Sequence, residues 1–362
     1  MQERPAVMKN TQHIDDKAIE TFIGIDLGGT YSHVCVLDRE GEAIDVGRIR
    51  TTPEALRKRF GGMARARVVI ESGPVSRFVD TELSALGHEV LVANPRKVKA
   101  IFGNENKCDR VDAEMLARLG RLDPKLLSPV RHRSEHAQAG LRLVRARDVA
   151  VRMRTAQINV VRGISKAAGT KLRACETSRF AEMAMQSLPG EMLAELEPLL
   201  HLIEQTSETI AIYDAQLKAR ADELAPVARR LTAIPGVGLL TAVTFALTVD
   251  DPKRFTSSRD VGAYFGLRPR RDQSGDTDKQ LPISKCGDKH VRRLLVQCAQ
   301  HILRKDSKLD SDLRRWGIHV AGESKNGKKR AVVAVARKLA VLMHRLWVTG
   351  KDYDPEYQRK AA

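Results

Sequence analysis

No two cysteines in this chain form a Cys-x-x-Cys pair, and the five present (Cys35, Cys108, Cys175, Cys286, Cys298) are odd in number. That pattern argues against a structural zinc site and fits a reduced cytoplasm. Long apolar runs are missing too. No stretch reaches the roughly 18 residues that span a bilayer, and the N-terminus is polar rather than signal-like. Acidic residues are in deficit: 45 Asp and Glu stand against 62 Lys and Arg, a formal charge of +17. Such an excess favours nucleic acid or another anionic surface as partner over a merely solvated exterior.

What is present is most informative between residues 22 and 112. Asp26 follows the apolar run Phe22-Ile23-Gly24-Ile25, and Glu71 ends a second run, Val68-Val69-Ile70. Both runs read as buried strands. Asp109 and Asp112 are three apart at the start of a helical pattern, so they share one helix face. Carboxylates at strand ends must be hydrated, paired or metal-bound, because burying an unpaired charge is costly. Four hard oxygen donors converging on one point repel each other unless divalent cations lie between them, which outlines a two-metal phosphoryl-transfer site.

The order of elements agrees. Residues 22–27, 32–38 and 43–49 read as three strands separated by glycine turns, 53–60 as a helix, 67–71 as a strand, 75–86 as a helix and 88–93 as a strand. Three meander strands followed by alternating helix and strand is the ribonuclease H-like order. The plainer reading, that Asp26 and Glu71 merely close two strands, leaves the paired aspartates unexplained.

The middle of the chain is helical. Ala137, Val144, Val151 and Ile158 recur at seven-residue spacing, as do Leu196, Ile203, Ile210, Leu217 and Leu224. Two such stripes read as an antiparallel coiled-coil arm or oligomerisation element, or else as core helices of a bundle. Pro198 is expected in the first turn of the second long helix. The first helix is rich in arginine (Arg142, Arg145, Arg147, Arg152, Arg154, Arg162), either a solvated face or a phosphate-contacting one.

Further on, Pro235-Gly236-Val237-Gly238 between helical runs has the form of a helix-hairpin-helix, although a plain turn would look similar. Leu267-Arg268-Pro269-Arg270-Arg271-Asp272-Gln273-Ser274-Gly275 then sets a serine among arginines. A serine hydroxyl needs a base or a positive field to attack, and arginines can hold a scissile phosphate. A Ser-Gly pair in a basic loop is by itself most often a turn. Lys285 and His290 either assist that serine or are surface and phosphate contacts.

Together these motifs resemble the insertion sequence 110 family of DEDD transposases, also described as bridge-RNA-guided recombinases. The resemblance covers about residues 20–350. It rests on Gly24-Ile25-Asp26, Ile70-Glu71-Ser72-Gly73-Pro74, Asn94-Pro95, Asp109-Arg110-Val111-Asp112-Ala113, Ile234-Pro235-Gly236-Val237-Gly238, Phe265-Gly266-Leu267-Arg268-Pro269-Arg270-Arg271, Gln273-Ser274-Gly275 and Ile283-Ser284-Lys285. It implies an α/β plus α chain. A ribonuclease H/RuvC-like DEDD domain would occupy 21–130, a helical coiled-coil arm 131–228, and a helical C-terminal transposase domain with the helix-hairpin-helix 229–350. Residues 1–20 would be a flexible extension and 351–362 a tail. Asp26, Glu71, Asp109 and Asp112 match the family's metal-binding carboxylates, with magnesium as the ion, and Ser274 matches its nucleophile. Arg268, Arg270, Arg271 and Lys285 would contact nucleic acid.

The resemblance also implies donor and target DNA as substrates and a structured non-coding guide RNA. A homo-tetramer or dimer of dimers with shared active sites is expected, in the cytoplasm at the nucleoid and with no membrane partner. One departure is Leu281, where many relatives carry glycine, which bears on loop shape rather than chemistry. Two other readings compete. Gly24-Ile25-Asp26-Leu27-Gly28-Gly29-Thr30 looks like the phosphate loop of an actin-like sugar kinase, but no second Asp-x-Gly-x-Thr loop follows. An inactive nucleic-acid-binding scaffold would not need four carboxylates and Ser274.

Overall fold

The computed structural model describes residues 19–101, 108–275, 277–306 and 310–356. Among them two compact units part between His132 and Arg133. The expected extension and tail fall largely on 1–18 and 357–362, outside the described residues.

The first unit runs β1 (Phe22–Asp26), β2 (Tyr31–Leu37), β3 (Ala43–Arg50), α1 (Pro53–Phe60), β4 (Arg67–Glu71), α2 (Ser76–Ala85), β5 (Glu89–Ala93), α3 (Pro95–Ile101) and α4 (Asp109–Leu122). Its five-stranded sheet has the order β3-β2-β1-β4-β5. The first three strands form an antiparallel meander, and β4 and β5 lie parallel to β1. This mixed order is consistent with a ribonuclease H-like arrangement. β1 and β4 are continuous apolar runs because helices cover both faces. Ile23, Ile25, Val68 and Ile70 pack with Leu56, Phe60, Val79 and Leu83 of α1 and α2. Phe22, Cys35 and Leu37 pack with Ala113 and Ala117 of α4, and Val69 with its Leu116 and Leu119. β3 is one of the two edge strands, with every residue at least partly exposed, and its arginines suit an edge that must not recruit another strand.

α4 lies very close to the sheet because the contact residues are small. A Cβ on Gly24 would fall onto the backbone of Ala113 and Ala117, and one on Gly120 onto the Val69 side chain. At the far end, buried Arg67 donates from Nη1 to the Gly120 carbonyl at 3.3 Å and from Nε to Glu89 Oε2 at 3.0 Å. A cation at the last turn of α4 also complements the helix dipole.

The second unit is mainly helical: α5 (Glu135–Ala167), α6 (Phe180–Ser187), α7 (Gly190–Ala219), α8 (Ala221–Leu224), α9 (Ala228–Thr232), α10 (Leu239–Val249), α11 (Asp260–Tyr264), the hairpin β6 (Pro269–Ser274) and β7 (Thr277–Ile283), α12 (Lys289–Ile302), α13 (Asp312–Ala321) and α14 (Lys325–Thr349). α5 and α7 run antiparallel along each other. Arg147 donates to Asp214 at 2.6 and 3.0 Å, Arg154 to Ser207 at 3.3 Å, and Thr206 to Gln157 at 3.4 Å, so one number rises as the other falls. Ser134 caps α5, its Oγ accepting from Ala137 N at 3.1 Å.

One expectation is corrected here. α7 begins at Gly190, so Pro198 sits inside the helix rather than in its first turn. The missing N–H forfeits one helical hydrogen bond. The helix continues because Leu196, Leu200 and Ile203 pack with Ile158, Val161 and Phe180 in a small core of their own. α10 is buried almost throughout and forms, with α12 and α14, the larger core of this unit.

Candidate active site

The acidic residues gather at one end of one face of the first sheet. Side chains alternate along a strand, so Asp26 shares the Gly24 side and Glu71 the Val69 side, which is the face under α4. Ile25 pairs with Ile70, and Asp26 and Glu71 follow at the carboxyl ends of these neighbouring parallel strands. Asp109 begins α4, one turn before Ala113, and its helix runs down over β1 from the same end. Asp109 and Asp112 both lie in the first turn of α4, where the positive end of the helix dipole favours carboxylates.

A third strand adds a residue that the sequence reading missed. Asp26 pairs with His33 across the β1–β2 ladder, so both side chains stand on the α4 face. Ligand atoms of Asp26, His33 and Asp109 all lie within 4.8 Å of one another. His33 Nδ1 is 3.7 Å from Asp109 Oδ2. Glu71 and Asp112 do not join that group among the described residues. Two carboxylates and an imidazole, all partly or fully accessible, form a donor set that suits a divalent cation. His33 was foundable only by counting the register across the tight Gly28-Gly29 turn, where a Cβ on Gly28 would strike the Tyr31 carbonyl.

Ser274 belongs to the second unit, at the exposed end of β6, paired with Thr277. The expected basic loop is therefore a two-stranded hairpin. Arg270 falls where the ladder register slips, whereas Arg271, regularly paired, stands on the side opposite Ser274 and pairs with Asp278, Nε to Oδ1 at 2.6 Å. Leu281, the departure from the family pattern, lies in β7 where the ladder register slips.

The base of the hairpin is tightly built. A Cβ on Gly266 would strike Cys286, and one on Gly287 would strike the Tyr264 carbonyl. Ser284 N donates to the Arg268 carbonyl at 2.9 Å and Lys285 N to the Gly266 carbonyl at 3.1 Å. Arg292 donates to the carbonyls of Phe265 and Cys286, both at 2.9 Å. Arg268 is half-buried at this base, and Lys285 is exposed. His290 turns to α5 instead, its Nδ1 3.8 Å from Asp148, and burial holds its pKa below the usual histidine value.

A transposase family model of the DEDD type matches residues 23–168, and one described as Transposase IS116/IS110/IS902 family matches residues 228–314. The transposase for insertion sequence element IS1328 of Yersinia enterocolitica is 32% identical over 339 residues, covering 88% of this chain and 94% of the relative. The chain belongs to the IS110 transposase family. Its enzymatic class is therefore phosphoryl transfer on DNA, and the kinase reading falls away. The transposase for IS1111A of Coxiella burnetii is 29% identical over 343 residues, 92% of this transposase and 91% of that one. A pilin gene-inverting protein of Moraxella bovis is 27% identical over 133 residues, 36% of this chain and 40% of the relative. Among the described residues, no helix is long and apolar enough to cross a membrane.

Proposed function

We propose that this transposase cuts and rejoins DNA through Ser274, assisted by a cation site built from Asp26, Glu71, Asp109 and Asp112. The observation that carries this reading is the convergence of Asp26 and Asp109, from a strand end and a helix start, to within 4.8 Å. A bound divalent cation, with magnesium our expectation, would offset charge developing on a scissile phosphate. Asp26 and Asp109 fit such an ion because each offers an oxygen to one point at the accessible end of the sheet, and Glu71 and Asp112 would complete the set from the neighbouring strand end and the same helix turn. Arg270, exposed on the same strand as Ser274, would hold a phosphate, with Arg268, Arg271 and Lys285 beside the DNA path.

In the step itself, Ser274 Oγ bonds to phosphorus and the bond to one bridging sugar oxygen breaks. The proton lost by the serine is balanced by the one gained on the departing oxygen. A hydroxyl of another strand then reverses the attack and releases the serine. Such an intermediate conserves the phosphodiester bond, as rejoining requires and hydrolysis does not. The relative named for inverting a gene suits that chemistry.

The finer reading follows from the family. The first unit would be a RuvC-like domain, α5 and α7 a coiled-coil arm, and the Pro235–Gly238 turn a phosphate contact of helix-hairpin-helix type. A structured non-coding RNA would select donor and target DNA in the cytoplasm. Val149, Met153, Val160 and Ile164 leave exposed apolar side chains along α5, which suits a subunit contact in a tetramer.

Trapping a stalled reaction and digesting it should leave DNA linked to a peptide containing Ser274. Ser274→Ala should lose the adduct and strand exchange while still assembling on nucleic acid. An adduct that persists in Ser274→Ala would move the attack to another residue, with Ser284 the next to test.

A further inference from the structure

We infer that His33 is a ligand of the cation held by Asp26 and Asp109, and that it tilts this site from magnesium toward manganese; this rests on the acidic-site reading above. The fold places His33 without freedom to be elsewhere. It is the cross-strand partner of Asp26, and its neighbours on that face, Cys35 and Leu37, are buried under α4. The side chain therefore points to the end of the sheet where α4 begins with Asp109.

Two simpler roles fit less well. At 3.7 Å, His33 Nδ1 and Asp109 Oδ2 are too far apart for a hydrogen bond between them, so the imidazole does not orient this carboxylate directly. A core histidine would be enclosed and satisfied, yet this side chain is 30% exposed beside a carboxylate that is 57% exposed. Donors bound to one small cation at about 2.1 Å are separated by roughly 3 Å when adjacent and about 4.2 Å when opposite. The 3.7 Å between His33 Nδ1 and Asp109 Oδ2 lies between those two values, and Asp26 brings a third donor to the same group.

The nitrogen matters chemically. Magnesium is hard and takes oxygen and water, whereas an imidazole suits later divalent metals. Manganese accepts oxygen and nitrogen together, so one histidine among carboxylates should raise manganese affinity relative to magnesium.

The test uses the full chain and manganese itself, read by electron spin echo and by competition with magnesium. Wild type should show nitrogen-14 modulation on the bound manganese. His33→Ala should lose it, and its manganese-to-magnesium affinity ratio should fall about tenfold or more. His33→Asp should also lack the modulation, bind magnesium at least as well as wild type, and confirm that the strand still folds. Asp26→Asn should abolish binding at this site, which separates it from other histidines. If wild type binds manganese in an Asp26-dependent way but lacks the modulation, or if His33→Ala leaves the ratio unchanged, His33 is not a ligand and the acidic-site reading survives. Absence of Asp26-dependent binding in wild type would overturn both.

Discussion

Lys285 is a residue under visible backbone constraint. Its φ is 55°, in the left-handed region, where a non-glycine side chain crowds its own backbone by about 1–2 kcal/mol. The conformation persists because Ser284 and Lys285 both donate to the segment around Gly266, and Arg292 ties the two segments together. Lys285→Gly should therefore gain up to about 1 kcal/mol in urea denaturation, part of the relief being offset by greater freedom in the unfolded chain. If Lys285 contacts a phosphate, the same variant should lower the salt dependence of DNA binding by about one charge. A stabilised variant with an unchanged salt slope would make the lysine structural only.

Among elements, α4 decides the geometry of the acidic site, and it is held at both ends. Near Asp109 the small residues Gly24, Ala113 and Ala117 allow backbone contact, and near its C-terminus Arg67 grips the Gly120 carbonyl. Arg67 and Glu89 have side chains only 3% and 9% exposed. Removing one buried partner strands the other charge. Arg67→Ala should thus cost about 3–5 kcal/mol in chemical denaturation. An Arg67→Met/Glu89→Met double variant should recover most of that loss. A single variant within about 1 kcal/mol of wild type would show that the pair is better hydrated than its burial implies.

At the scale of the whole molecule, charge dominates. Helix α5 contributes less of it to partners than its composition suggests. Arg142 pairs with Glu135, Arg147 with Asp214 and Arg152 with Asp148, and Arg162 donates to the carbonyls of Leu172 and Arg173. Enough cations remain in a chain of +17 for phosphate contacts to govern affinity. DNA binding measured between about 50 and 200 mM salt should weaken steeply, by roughly a thousandfold if six or more phosphates are neutralised. Affinity that hardly changes over that range would point to recognition by base or shape contacts instead.

The sequence by itself determined the five strands of the first sheet, because apolar runs bounded by glycine turns have few other ways to be buried. It marked Asp26 and Glu71 as strand ends and Asp109 and Asp112 as one helix face, since local periodicity alone sets those positions. It also showed two long helices, but not where the second begins. Packing of Leu196, Leu200 and Ile203 outweighs the intrinsic cost of Pro198, and propensity cannot weigh a contact made by distant residues. The β6–β7 hairpin was illegible for the opposite reason: it is polar and exposed nearly throughout, so it carries no alternation to read. His33 needed most from the tertiary structure. Its place beside Asp26 depends on strand register and its place beside Asp109 on a helix crossing 76 residues later in the chain, and neither distance is written in local sequence.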